Sequence, residues 1–156
     1  MPANPATRSL DPMPNSSPLF AGLDIGGTTV KSVLVNRDGD PVGEMVEVRS
    51  QVKDGYEATF RQLEVALQQL SERAGAALSD VAGVGLDVPA PSSEGVIWSR
   101  ANLGADWVGT NVQARLSERL GGVPVYMTND GNAAAVGEYA VRKKHVGSLL
   151  LVAPGT

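Results

Sequence analysis

The sequence predicts an α/β domain with a mixed β-sheet, on three observations. Three strand-like apolar runs joined by short turns lie between Leu19 and Arg49. A long stretch with apolar residues every three or four positions follows them. Beyond it, short apolar runs alternate with helical ones toward the C-terminus. Short connections require antiparallel pairing, whereas strands separated by helices pair in parallel, so one sheet has to hold both kinds.

The first strand is expected over Leu19–Ile25 and the second over Val30–Asn36, with Gly26-Gly27-Thr28-Thr29 between them. Asp38-Gly39-Asp40-Pro41 has turn chemistry and leads to a third strand over Gly43–Arg49. Tyr56, Phe60, Leu63, Leu67, Leu70, Ala74 and Ala77 follow by alternating fours and threes and place one apolar stripe on a long helix. A short buried strand is predicted at Val81–Leu86, ended by Pro89-Ala90-Pro91, and a smaller one at Val96–Trp98. Val112, Leu116 and Leu120 share a face of a helix over 111–120, which Gly121-Gly122 terminates. Val123–Thr128 is the next strand, and the small residues of Ala133–Tyr139 suggest a helix packed at close range. Ser148–Ala153 is predicted to be a last apolar strand.

At 156 residues the chain has the length of one domain with a sizeable core. Thirteen basic against seventeen acidic residues leave a net charge of −4, which argues against a nucleic-acid binder, whose footprint is a basic face. Cysteine is absent, which excludes a disulfide framework and any cysteine-based zinc site within this sequence. His145, the single histidine, sits in the polar run Arg142-Lys143-Lys144-His145 and reads as a solvated loop residue. Residues 1–17 are proline-rich with no apolar signal-peptide segment and are expected to form a disordered tail. No apolar run approaches the roughly 20 residues that span a bilayer, so a cytoplasmic protein without membrane partners is expected.

Two polar sites fall at strand ends, where α/β sheets place ligands. In Leu23-Asp24-Ile25-Gly26-Gly27-Thr28-Thr29-Val30-Lys31 an acid and two glycines interrupt an apolar run. No Gly-Lys-Ser/Thr occurs, so this is not a Walker loop, and a strand rather than a helix follows the glycines, so it is not a dinucleotide fingerprint. A glycine hairpin can nonetheless offer N–H groups and hydroxyls to phosphate oxygens, with Asp24 holding a cation; its structural alternative is a tight hairpin with a surface acid. Asn129-Asp130 closes a strand and opens a helix. It is either a helix N-cap or an Asn that orients a substrate beside an Asp that takes a proton from a substrate hydroxyl.

These segments resemble one family. LDIGGTTVKSVLV, VPAPSSEGVIWSRANLGADW and VPVYMTNDGNAAAVGEY stand in the order and spacing of the ROK family (repressor, open reading frame, kinase), which includes bacterial glucokinases. The resemblance covers Leu19 to the C-terminus and implies an actin-like, hexokinase-type (RNase H-like) fold that transfers the γ-phosphoryl of ATP to a hexose. By resemblance Asp24 would hold Mg²⁺ through water, Gly26, Gly27 and Thr28 would face the ATP phosphates, and Lys31 matches the family lysine after the turn. Asn102 and Asn129 would bind sugar hydroxyls, Asp130 would be the base, and Glu138 would be structural. Ala90 stands where the family has a glycine that contacts the sugar, and Gly131 replaces an alanine. Gly155-Thr156 matches the start of the family's second phosphate loop.

On this resemblance, residues 18–147 would be the N-terminal kinase domain and 148–156 the first strand of a second domain that is missing or truncated. The chain alone is then expected to lack measurable kinase activity and to self-associate through its C-terminal strand. Two alternatives are a fragment of a sugar-responsive ROK repressor and a non-catalytic remnant of a truncated gene.

Overall fold

The computed structural model describes residues 18–142 and 147–152. The proline-rich tail, His145, Gly155 and Thr156 lie outside the described residues. β1 (Leu19–Ile25), β2 (Thr29–Val35) and β3 (Val46–Arg49) form the expected antiparallel meander. α1 (Tyr56–Ala74) crosses to β4 (Val81–Val88), which pairs in parallel with β1. A small hairpin of β5 (Ser92–Ser93) and β6 (Val96–Ile97) follows, then α2 (Val112–Arg119). β7 (Val125–Asn129) pairs in parallel with β4 and runs directly into α3 (Asp130–Val141). The main sheet has the order β3-β2-β1-β4-β7, mixed as the connection lengths require.

One face of this sheet carries the core. Ala21, Leu23 and Ile25 of β1, Val30 and Leu34 of β2, and Leu86 and Val88 of β4 are buried, as are Phe60, Leu63, Leu67 and Leu70 of α1 and Leu116 of α2. Each large side chain so buried stabilises the fold by about 1.5–3 kcal/mol relative to exposure. α1 and α2 lie side by side on this face, joined at the surface by Arg119, which contacts Glu57 and Glu64 at 2.6 Å each.

Several elements depart from their predicted form. β3 starts at Val46 rather than Gly43, because Gly43 has φ +76° and sits against the end of α1, where a Cβ would lie 3.2 Å from Ala74 Cα. α1 stops at Ala74, three residues before Ala77: Gly75 turns left-handed and donates to the Glu72 carbonyl while Ala76 donates to Ser71. β4 is not buried throughout: Ala82 and Gly85 are exposed. The close packing expected of the small residues in α3 is not observed: the helix has no buried residue, and Val136 and Val141 are 68% and 79% exposed. Alanine and glycine bring too little apolar area to press a helix onto the sheet. Residues 148–152 form no strand, and Leu150 and Val152 are exposed. Apolar composition gives strand propensity, but a strand exists only where a neighbour accepts its hydrogen bonds, and among the described residues none does.

Candidate active site

The C-terminal ends of the parallel strands β1, β4 and β7 converge on one region. Register places Asp24 beside Lys31 on β2 and beside Asp87 on β4, and Asp87 beside Thr128 on β7. Period-two alternation turns these side chains away from the core, onto the face from which α3 departs. Asp24, Asp87 and Asp130 line one hollow of about 660 Å³ with Gly131, Ala133 and Ala134 of α3.

Asp87 was not anticipated from the sequence. The available signal was the one that singled out Asp24, a carboxylate inside an apolar strand, here in Val84-Gly85-Leu86-Asp87-Val88. Burial holds its carboxyl well above the ordinary range, and the Asp24 charge, a hydrogen bond to Asp24 and the Asp130 charge push it further, to about 7. Two adjacent carboxylates resist ionising together, so Asp87 gives up its proton only as pH rises through about 7. Its Oδ1 is buried without a partner.

The Gly26–Thr29 hairpin is tight: Gly26 N–H donates to the Thr29 carbonyl at 2.9 Å, and a Cβ on Gly26 would lie 2.9 Å from that same oxygen. Neither Gly26 nor Gly27 takes a left-handed φ, so close approach and not handedness explains Gly26. A side chain on Gly27 would meet nothing within 4 Å, so that position opens outward. Thr28 is tied to the next loop, its carbonyl accepting from Ser50 N–H at 3.0 Å. The N–H groups of Gly27 and Thr28 and the Thr28 hydroxyl are left at the tip. Lys31 is exposed on β2 next to Asp24 but forms no ion pair within 4 Å among the described residues.

Of the two readings of Asn129-Asp130, the structure shows the helix cap. Asn129 is the N-cap of α3, its Oδ1 accepting from Asn132 N–H at 2.8 Å. Its Nδ2 is not used by the cap. Asp130 is exposed, and its Oδ1 accepts from Gly131 N–H at 2.7 Å. Glu138 pairs with Arg142 at 3.3 Å on the outside of α3.

The remaining predicted sugar residues stand apart from the acids. Asn102 is exposed and lines a separate hollow with Lys53, Arg100 and Gly104. Its loop is pinned to the start of α1: Val52 carbonyl accepts from Gly104 N–H at 2.9 Å and from Trp107 Nε1 at 3.1 Å. Asp106 Oδ2 accepts from Tyr56 N–H at 3.0 Å and so caps α1 from 50 residues away. Gly55 and Gly104 make room for that carboxylate, since a Cβ on either would lie 2.6 or 2.8 Å from its oxygens. Ala90 is buried and its N–H is committed to the Val88 carbonyl, so only its carbonyl could meet a ligand. A further concavity, of about 820 Å³, lies on the opposite face between α1 and α2, lined by Leu67, Val81, Val84 and Leu120, remote from the acids.

Among the described residues no three His, Cys, Asp or Glu side chains form a metal cage. Magnesium does not need one, since it keeps several waters and takes one or two carboxylates. Asp24, with the orphaned Asp87 oxygen beside it, fits a hard cation held in that way.

Residues 20–156 match the ROK family, and the chain belongs to it. It is 29% identical over 137 residues to the polyphosphate glucokinase of Mycobacterium leprae, an alignment covering 86% of this chain and 40% of that protein. Its fold matches the inorganic polyphosphate/ATP-glucomannokinase of Arthrobacter sp. strain KM with a TM-score of 0.70 and 32% identity, covering 79% of this chain and 48% of that one. The ROK glucokinase of Streptomyces griseus, solved with glucose and AMPPNP, matches with a TM-score of 0.64 and 27% identity over 78% of this chain and 36% of its own. The mixed sheet is thus that of the actin-like ROK sugar kinases. The chain spans less than half the length of each of these relatives.

Proposed function

We propose that this ROK-family chain supplies the first phosphate hairpin and the catalytic base of a hexose kinase that moves the γ-phosphoryl of ATP to a sugar hydroxyl. The observation that carries this is the convergence of Asp24, Asp87 and Asp130 on one hollow at the ends of three parallel strands. Asp130 has the base's requirements: it is exposed, lines the hollow, and accepts from Gly131 N–H. It accepts the proton of the attacking hydroxyl as that oxygen bonds to the γ-phosphorus and the bond from the γ-phosphorus to the bridging oxygen breaks, ADP leaving with that oxygen, while Asn129 Nδ2 donates to a neighbouring sugar oxygen. The Gly27 and Thr28 N–H groups and the Thr28 hydroxyl would donate to phosphate oxygens. Magnesium, when bound, supplies positive charge to those oxygens, and Asp24 would hold it through water with Asp87 keeping Asp24 in place. Asn102, on its pinned loop, and the Ala90 carbonyl add sugar contacts.

The test places residues 19–156 in the Streptomyces griseus glucokinase in exchange for the segment they match, and follows phosphorylation of glucose by ATP. Asp130→Asn is expected to lower kcat by about 10²–10⁴-fold with little change in the KM for glucose. An unchanged kcat with a raised KM makes Asp130 a sugar ligand and puts the base elsewhere.

A further inference from the structure

Lys53 and Arg100 lie on different loops, yet both line the hollow of about 440 Å³ that Asn102 shares. Lys53 belongs to the 3-10 turn Val52–Asp54, and Arg100 precedes the Ala101-Asn102 turn. The two loops are locked by the shared Val52 carbonyl, which accepts from Gly104 N–H and Trp107 Nε1. Arg100 is aimed by its own loop, Nε donating to the Leu103 carbonyl at 3.1 Å, so its terminal nitrogens are left for another partner. Among the described residues neither Lys53 nor Arg100 has an acidic group within 4 Å, whereas Arg119 and Arg142 are both paired. The acid nearest in sequence is Asp54, in the same turn as Lys53.

Backbone strain marks the same place. Three non-glycine residues among those described have positive φ: Gln51, Glu94 and Ala101. Gln51, at +55°, directly precedes the Lys53 turn, and Ala101, at +43°, stands between Arg100 and Asn102. Left-handed geometry at such residues is costly and persists where the surroundings impose it, often at ligand clamps. The turn also borders the phosphate hairpin, since Ser50 N–H donates to Thr28 carbonyl.

From this geometry we infer that Lys53 and Arg100 form an anion site, beside Asn102, for the phosphate group of a phosphorylated ligand. An ammonium and a guanidinium held on pinned loops suit a phosphate, the guanidinium by paired hydrogen bonds and the ammonium as a point charge. The ligand's identity rests on the sugar-kinase function proposed above, which supplies two sources of that group: a phosphoryl donor with a chain of phosphates, or the hexose phosphate that is made. The site itself rests only on the two cations and their loops.

The experiment titrates the chain as it stands with inorganic tripolyphosphate in one arm and glucose 6-phosphate in the other, by calorimetry. Sodium sulfate at matched ionic strength is the control. Binding in either arm, tighter than sulfate and weakened at least tenfold by Lys53→Gln with Arg100→Gln, is expected, and the arm that binds identifies the source. The titration reads binding by the chain alone and not turnover, so a failure of the kinase function in the exchanged glucokinase and a failure of the anion site are read separately. The variants are compared by thermal unfolding, which these exposed changes leave close to wild type. No binding in either arm, sulfate binding as tightly, or equal affinity in the folded double variant overturns the site.

Discussion

The two faces of the sheet divide the molecule's work. On one, α1 and α2 cover a continuous apolar core that holds Phe60, Leu63, Trp107 and Leu116 at 1% exposure or less. On the other, α3 has no buried residue, and the second-face row through Lys31, Asp24, Asp87 and Thr128 faces an open hollow with Ala133. Stability is concentrated where apolar area is removed from water, and the candidate site lies where charged groups remain reachable. The difference also explains why three carboxylates can crowd together: the covered face carries the stability needed to hold them near one another.

The sharpest way to break this division is to cut into the covered face. Trp107→Ala removes the largest buried side chain and the Nε1 bond to Val52, and is expected to cost about 3–5 kcal/mol in urea unfolding. A loss below about 1 kcal/mol would mean the core does not depend on this anchor.

The next effect tests the cost of the acids. Asp87 has a raised folded pKa, so its contribution to stability is fully present below the unfolded value of 3.8 and is lost as pH rises through about 7. Asp87→Asn keeps the shape and removes the charge. It is therefore expected to match wild type near pH 4 and to exceed it by about 1–2 kcal/mol at pH 8, a figure already reduced for solvent screening. Equal urea midpoints for the two proteins at pH 8 would show that the buried carboxylate is not costly.

A smaller change separates capping from packing. Asp106→Ala leaves Tyr56 N–H without its acceptor and is expected to cost about 1 kcal/mol, with amide exchange at the first turn of α1 accelerated. Wild-type exchange rates there would mean that water caps the helix equally well. The smallest effect belongs to the open face: Val136→Ser on α3 is expected to shift stability by less than about 0.5 kcal/mol, since Val136 is 68% exposed. A loss beyond 1 kcal/mol would reveal that something covers α3 in solution.

Period and punctuation in the sequence determined much of the molecule. The fours and threes from Tyr56 to Ala74 dictated α1 and its buried stripe, and short turns dictated the antiparallel meander. Asp24, the glycine hairpin and Asn129-Asp130 were legible because polar groups at the ends of apolar strands are costly to bury and rarely placed there by chance. Only the tertiary structure decided what these groups face. Asp87 became part of the site through register with Asp24, a relation between residues 63 positions apart in sequence that local patterning cannot carry. Asn129 turned out to cap a helix with one end of its amide, and Asn102 to stand in a hollow of its own with Lys53 and Arg100. The apolar run at 148–152 shows the limit most plainly: composition sets a residue's preference for a strand, but the hydrogen bonds that make one come from a neighbouring segment, and only three-dimensional pairing provides it.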